Sequence, residues 1–346
     1  MEDAATLQKS KYGTIQKKLV PADEKGLRCK KILSERTEMN GSKRIIATWK
    51  LRTRTLELGR RTLVCGVVNI TPDSFSDGGR FLDVDAAIAH GISLLDEGAD
   101  LLDLGAESTR PGSRTGDAEG SATVPAVSAE EEQARLLPVL EGILAARPKA
   151  IVSVDTYKAA TARAAVAAGA EIVNDVSGFS WDPEMAAACA EACCGVVLMH
   201  TRGRPEEWRT QPQLAPNEVV ASVRAGLEVS LERAAHAGIA AERILLDPGY
   251  GFGKKYDENF ALLERQAELL VLARPLFIGV SRKSFLGRAL APLFDGMDAP
   301  VDARETASLA AMVAAILNGA SIVRVHTARP AMEAALVADA VLKNRE

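Results

Sequence analysis

Short, almost wholly apolar runs alternate with longer segments of helical period from residue 63 to the end of the chain. Each run is apolar at successive positions rather than at every second one, which is typical of parallel strands covered on both faces. The pattern therefore predicts eight strands. They are Leu63–Asn69, Leu101–Leu104, Ala150–Asp155, Glu171–Asn174, Val196–His200, Ile244–Asp247, Leu276–Ser281 and Ile322–His326.

Helical segments fill the intervals between these runs. Ser128 is followed three residues later by Glu131, and Asp302 by Glu305, so each pair predicts a capping box at the start of a helix. Eight strand-then-helix units without a linker-like break match a single barrel better than two doubly wound domains. We therefore predict an α/β fold, a (β/α)₈ TIM barrel.

The N-terminal segment differs from the rest. Residues 1–50 lack sustained periodicity until Arg44–Trp49, so we predict a loosely ordered N-terminal extension over 1–50 and a barrel domain over 51–346. Leu51–Arg61 is predicted to add a strand or hairpin under the N-terminal end of the barrel.

Composition narrows the class of protein. Of 346 residues, 47% are hydrophobic and 25% charged, which is ordinary globular usage. The extension carries 12 Lys and Arg against 6 Asp and Glu, so the body is acidic and we expect no nucleic-acid partner. The sequence contains no uninterrupted apolar run of about 18 residues, so we expect no membrane span. The five cysteines lack C-x-x-C spacing and no secretory signal precedes them, so we expect a cytoplasmic protein.

Polar residues collect where the predicted strands end, which is where such barrels build their sites. A single Asp after a strand is most often a helix cap, but eight polar strand ends together favour a functional site. Three of them, Asp155, Asn174 and Asp247, are rich in acceptors and suit a flat heterocycle with several N–H donors. Four cationic residues also lie at the predicted strand ends, which together form the mouth of the barrel. Their charge suits an anionic or phosphorylated substrate. They are Arg110, Lys283, Arg324 and His326.

Seven motifs of the chain resemble those of the dihydropteroate synthase family, in that family's order and over roughly residues 56–343. They are NITPDSFSDGG from Asn69, ESTRPG from Glu107, SVDT from Ser153, NDVSG from Asn174, DPGYGFGK from Asp247, SRKSFLG from Ser281 and RVH from Arg324. The resemblance implies a transferase of folate biosynthesis. It would condense 6-hydroxymethyl-7,8-dihydropterin diphosphate with 4-aminobenzoate to give 7,8-dihydropteroate and diphosphate.

The resemblance also implies a role for individual residues. It assigns the pterin ring to Asp155, Asn174, Met199, Asp247 and Lys283. It assigns the diphosphate to Asn69, Arg324 and His326, with Asn69 also holding Mg²⁺. It assigns the aminobenzoate to Thr109, Arg110, Pro111, Phe252, Lys283 and Ser284. The catalytic set it implies is Asn69, Arg110, Asp155, Lys283, Arg324 and His326.

Three further expectations follow from the resemblance. The protein would form a homodimer, sulfonamides would compete for the aminobenzoate pocket, and no protein nucleophile would be needed. The chain departs from the family pattern at Thr327, where members usually have Asp, and in the longer loop Arg114–Pro125, which we predict to be a mobile lid.

Two alternative functions stay open at this point. A pterin-binding, corrinoid-dependent methyltransferase would share the barrel and the pterin residues but would not need the Thr-Arg-Pro-Gly loop or the Arg-Val-His motif. A non-catalytic paralogue would bind pterin and regulate another folate enzyme, but the presence of Asn69, Arg110, Lys283 and His326 argues against it.

Overall fold

The computed structural model describes residues 38–39, 44–70, 80–107 and 127–344 of the chain. These residues belong to one compact unit, Glu38–Glu346. The segment 1–37 lies outside the described residues, so the loosely ordered extension stays a prediction.

A small antiparallel sheet precedes the barrel. It comprises β1 (Glu38–Met39), β2 (Ile45–Lys50) and β3 (Thr55–Leu58), in that order. The hairpin was predicted only within Leu51–Arg61, whereas β2 lies inside the segment assigned to the extension. Its Trp49 is buried, and the indole Nε1 donates to the carbonyl of Arg243 at 2.9 Å. The compact unit that contains the barrel therefore also contains β2, whose burial against the barrel strands cannot be read from its own sequence.

Eight parallel strands close the barrel, as predicted. They are β4 (Leu63–Asn69), β5 (Leu101–Gly105), β6 (Val152–Asp155), β7 (Ile172–Asp175), β8 (Gly195–Met199), β9 (Ile244–Asp247), β10 (Leu276–Ile278) and β11 (Ala320–Val325). Their order around the barrel is β10-β11-β4-β5-β6-β7-β8-β9. The predicted strand end at Ser281 is too late, because the chain already turns there and Lys283 N donates to the carbonyl of Val280 at 3.4 Å.

Helices alternate with the strands and cover the outside of the barrel. They are α1 (Arg80–Asp96), α2 (Ala129–Ala146), α3 (Ala159–Ala167), α4 (Met185–Ala192), α5 (Pro216–His236), α6 (Tyr256–Glu264), α7 (Ser284–Ala289), α8 (Glu305–Leu317) and α9 (Ala328–Lys343). Short 3₁₀ turns lie at Ala241–Arg243, Gln266–Leu272, Ala291–Leu293 and Val301–Arg304. Within the described ranges, no helix is both long and apolar enough to cross a membrane.

The two predicted capping boxes have different outcomes. Ser128 caps α2, its hydroxyl accepting from Glu131 N at 3.1 Å. The box at Asp302 is wrong, because Val301–Arg304 forms a 3₁₀ turn and α8 begins only at Glu305. The carboxylate of Glu305 accepts from Arg282 and Thr327 instead.

Two apolar layers hold the barrel together. The larger packs the outer faces of the strands against the helices. The smaller fills the N-terminal half of the barrel interior, where Trp49, Leu51 and Leu58 of the hairpin segment meet the first inward residues of the strands. Because this cluster closes the N-terminal end, the polar interior is confined to the opposite end.

Candidate active site

Predicted site residues from three strands, β4, β6 and β7, lie at the C-terminal end of the barrel, and Gly105 of β5 lies between the first two. Strand register pairs Asn69 with Gly105, Gly105 with Asp155, and Asp155 with Asn174. Asn174 is buried, while Asn69 and Asp155 are partly exposed. The structure therefore brings together residues that are up to 105 positions apart in sequence, as a closed parallel barrel requires.

Arg324 of β11 is the central cation of the layer that these residues form. Its Nε donates to Asp103 Oδ2 at 2.6 Å, and its Nη2 donates to Asp155 Oδ2 at 2.9 Å. Although burial disfavours the charged form, the two carboxylates raise the pKa of Arg324 above its ordinary value. Desolvation in the mouth raises the pKa of Asp155 to about 7, against the pull of Arg324. The pair is thus poised so that Asp155 changes charge near neutral pH.

Asp103, two residues before Gly105 on β5, contacts this layer and was missed by the sequence analysis. It is fully buried in the middle of β5, and its Oδ2 also accepts from Asn174 Nδ2 at 3.0 Å. The signal in the sequence is a lone charge inside an apolar strand, LLDLG.

Asp247 ends β9 and faces the same mouth. Its Oδ1 accepts from Gly249 N at 2.7 Å, which fixes the carboxylate against the following turn. Burial raises the pKa of Asp247 to about 6, while the Gly249 N–H and the nearby Lys283 lower it. A carboxylate held in this way offers its other oxygen to a ligand.

Lys283, at the start of α7, supplies the second cation. Its Nζ lies 4.1 Å from the ring centroid of Phe252, in a cation–π contact. Burial lowers the pKa of Lys283 to about 8, while the Asp247 and Asp155 carboxylates raise it. Ser284 next to it is exposed. Phe252 and Lys283 are therefore in contact, and Ser284 follows Lys283 as the first residue of α7. The role of the three residues in binding aminobenzoate stays a prediction.

The Gly-rich turn after β9 is held by a buried lysine that was part of a quoted motif but had no predicted role. Lys254 Nζ donates to the carbonyls of Gly249 at 2.7 Å and of His200 at 3.2 Å. Burial lowers the pKa of Lys254 to about 7. Its contacts are all with backbone oxygens, so we assign it to the loop rather than to the ligand.

Met199 and several aromatic rings form an apolar wall. Met199 is buried with Tyr157 and Val176, and Trp181 and Phe252 pack against the three. Tyr157 and Trp181 stack edge to face with centroids 5.1 Å apart. Such a wall suits a flat ring that needs apolar contact on its face.

His326 directly follows β11. Its Nδ1 lies 2.9 Å from Ser281 Oγ, which links the ends of β10 and β11. Thr327 follows, and its hydroxyl donates to Glu305 at the start of α8. His326 is partly exposed.

A second buried charge cluster lies around Lys158. Glu107 accepts from Lys158 Nζ and lies 3.3 Å from the Tyr157 hydroxyl. Lys158 also contacts Glu132 at 3.3 Å, and burial raises the pKa of Glu132. The ESTRPG motif begins at Glu107, but its partners after β6 could not be read from the sequence because they lie in another strand–helix unit.

Comparison with known proteins identifies the family. The model of a pterin binding enzyme matches residues 65–326. Dihydropteroate synthase of Mycobacterium leprae is 45% identical over 281 residues, which is 81% of this chain and 93% of that protein. The chain belongs to the dihydropteroate synthase family.

Solved structures of family members share the fold. A dihydropteroate synthase from Xanthomonas albilineans with 4-aminobenzoic acid aligns with a TM-score of 0.74 and 40% identity, covering 86% of this chain and 98% of that one. A Yersinia pestis dihydropteroate synthase in a sulfonamide drug complex aligns with a TM-score of 0.74 and 37% identity, covering 86% and 99%. The motif resemblance is thereby confirmed at the level of family and fold.

Three predicted residues cannot be compared with this geometry. Thr109, Arg110 and Pro111 lie outside the described residues, as does the predicted lid Arg114–Pro125. Their roles in a dihydropteroate synthase site stay predictions.

Proposed function

We propose that the chain condenses 6-hydroxymethyl-7,8-dihydropterin diphosphate with 4-aminobenzoate, giving 7,8-dihydropteroate and diphosphate. The observation that carries this proposal is the joint placement of three acceptor side chains and two cations at one end of the barrel. The acceptors are Asp155, Asn174 and Asp247, and the cations are Lys283 and Arg324. One ligand that combines an N–H-rich ring with a phosphate ester would use both groups.

The ring half of the substrate would bind between the carboxylates and the apolar wall. Asp247 and Asn174 are buried acceptors. A ring without N–H donors would leave these acceptors without partners, which costs free energy. Met199 would pack against a ring face, and Lys283 would donate to the ring's oxygen side. This arrangement selects a flat ring by its pattern of donors.

The diphosphate half would bind at the cationic side. Arg324 keeps part of its guanidinium free of Asp103 and Asp155, and His326 and Asn69 flank it at the ends of β11 and β4. These groups stabilise negative charge that grows on the departing oxygen.

Mg²⁺ fits the donor set at this side. Asn69 offers a neutral amide oxygen, and among the described residues no cluster of three His, Cys, Asp or Glu side chains competes for a metal. Mg²⁺ usually keeps several waters and takes substrate phosphate oxygens, so Asn69 would supply one protein ligand among these. When bound, the ion would neutralise charge on the diphosphate.

Bond breaking would precede bond making. The bond between the ring's methylene carbon and the diphosphate oxygen breaks, and its electron pair leaves on the diphosphate. The methylene carbon becomes cationic, and the Asp155 and Asp247 carboxylates stabilise this charge more than they stabilise the neutral ground state. The amine of 4-aminobenzoate then forms the new carbon–nitrogen bond and loses a proton.

The second substrate would bind beside Phe252, Lys283 and Ser284, with Thr109, Arg110 and Pro111 completing the pocket. The cation at Lys283 suits the aminobenzoate carboxylate, and the Phe252 ring suits its aromatic face. Sulfonamides would compete for this pocket, consistent with the Yersinia pestis relative in a sulfonamide complex.

Diphosphate release tests the proposal. We expect release that depends on 4-aminobenzoate, is abolished by EDTA, is restored by Mg²⁺ and is inhibited competitively by a sulfonamide. A methyltransferase or a non-catalytic pterin-binding protein would release no diphosphate, so the same assay separates both alternatives from the proposed reaction. Full turnover in EDTA would contradict the metal assignment alone.

Two further expectations belong to this proposal. A homodimer would be detected by sedimentation. A cytoplasmic location is supported by the free thiols of Cys65, Cys189, Cys193 and Cys194, which suit a reducing compartment.

A further inference from the structure

Asp103 lies at the centre of the site, and the proposed reaction does not use it directly. It is the only charged residue of β5 and is fully buried between Leu102 and Leu104. A buried carboxylate costs stability unless its surroundings compensate, so its presence in an otherwise apolar strand points to a role in the site.

One oxygen of Asp103 serves two site residues from different strands. Oδ2 accepts from Asn174 Nδ2 at 3.0 Å and from Arg324 Nε at 2.6 Å. An ionised carboxylate only accepts, so this contact fixes which end of the Asn174 amide turns away from the ligand. It also fixes the plane of the Arg324 guanidinium, which then reaches Asp155 through Nη2 at 2.9 Å.

The other oxygen of Asp103 does not take part in orienting the carboxylate. Asp103 Oδ1 is buried without a hydrogen bond in the described part of the chain. The same holds for the hydroxyl of Ser153, which is paired with Asp103 across β5 and β6. The carboxylate is therefore oriented by its two site partners and not by the neighbouring strand.

We propose that Asp103 is a positioning residue that aligns the ring-binding Asn174 with the diphosphate-binding Arg324 through one shared carboxylate oxygen. The inference rests on the proposed function of these two residues. Asp103 would thus couple binding of the ring at Asn174 to binding of the diphosphate at Arg324, and one substrate carries both groups.

Binding of each half of the substrate tests the inference. The probes are 6-hydroxymethyl-7,8-dihydropterin, which carries no phosphate, and inorganic diphosphate with Mg²⁺, both titrated by calorimetry. We expect Asp103→Asn to weaken binding of each probe by about tenfold, because each partner loses its charged acceptor. The matched control is Ser153→Ala, which removes an unpartnered polar group of the same layer and should leave both affinities unchanged.

Double-mutant cycles separate positioning from general damage to the fold. In an Asn174→Ala background, Asp103→Asn should change ring affinity by less than about twofold, and in an Arg324→Lys background it should change diphosphate affinity equally little. Loss of the same size in every background would overturn the inference, since damage to the fold adds to any other change. If Asp103→Asn does not fold, Asp103→Ser, which keeps a small acceptor, replaces it with the same expected outcomes.

The result also distinguishes this inference from the proposed function. Wild-type protein that binds neither probe would contradict the proposed function. Wild-type protein that binds both, with an Asp103→Asn variant of equal affinity, would overturn the role of Asp103 alone.

Discussion

The two ends of the barrel interior contain different kinds of side chain. The N-terminal end is filled by an apolar cluster that includes Trp49, Leu58 and Phe277, all fully buried. The C-terminal end holds buried charge, with Asp103 and Arg324 in contact at 2.6 Å. Burial of apolar groups favours folding, whereas burial of charges costs free energy even when they are paired. The barrel thus gains stability at one end and spends part of it on the site at the other.

This difference assigns separate consequences to mutations at the two ends. A change in the apolar cluster should act on the free energy of unfolding and leave the site intact. A change among the polar side chains of the mouth should act on ligand binding, and the stability of the unliganded protein should change little or even rise.

The largest effect is expected at Trp49. Trp49→Ala should lower the free energy of unfolding by about 3–5 kcal/mol, because it leaves a cavity under the barrel and removes the hydrogen bond to the Arg243 carbonyl. Urea denaturation measures this loss, and Trp49→Phe should recover most of it. If the folded variant has the same kcat as the wild type, the apolar end affects stability alone. A strongly reduced kcat would contradict the separate roles of the two ends.

At the opposite end, Asp247→Ala should affect binding first. We expect pterin affinity to fall by about 1–3 kcal/mol, because ring N–H groups lose their acceptor. Its melting temperature should stay level or increase, since burial already opposes the ionised carboxylate. Calorimetry and thermal unfolding of the same sample decide the matter, and an unchanged pterin affinity would remove Asp247 from the site.

The raised pKa of Asp155 predicts that stability and affinity respond to pH in opposite directions. Its folded value of about 7 exceeds the ordinary 3.8, so the folded state binds the proton more tightly than the unfolded state. This contribution to stability is complete below about pH 4 and is lost as pH rises to about 7. Pterin affinity should increase over the upper part of that range, because the ionised form accepts N–H bonds and faces the cation.

Asp155→Asn provides the control for this pH dependence. The variant should lack the Asp155 part of both trends when unfolding and pterin binding are followed from pH 4 to 8. Wild-type stability that increases with pH relative to Asp155→Asn would contradict the desolvated carboxylate.

The smallest effect is expected at Thr327, on the edge of the mouth. Thr327→Val keeps the side-chain shape and removes the hydroxyl that donates to Glu305, so we expect a loss of about 1 kcal/mol in unfolding free energy. Glu305→Gln, which keeps an acceptor, should cost less. A large fall in diphosphate affinity in Thr327→Val would show that this contact belongs to the site rather than to its support.

The sequence predicted the barrel well because its strands are apolar throughout and the helices between them are periodic. Asp155, Asn174 and Asp247 could be found because each lies at a strand end, a position visible in one dimension. Asp103 could not, since its meaning comes from Arg324, which lies 221 residues away and reaches it only across the closed barrel. The start of the hairpin at Ile45 was missed for a similar reason, because its burial depends on the far strands that it covers.

Gly249 limits how this site could change under selection. Its φ is +68°, and a β-carbon there would lie 1.9 Å from the carbonyl oxygen of His200, so no side chain fits without moving the end of β8. Saturation mutagenesis at this codon should return glycine alone. Resistance to an inhibitor that binds at the mouth would therefore have to arise at other positions. The turn that holds Asp247 is a contact surface for inhibitors at which Gly249 cannot readily be substituted.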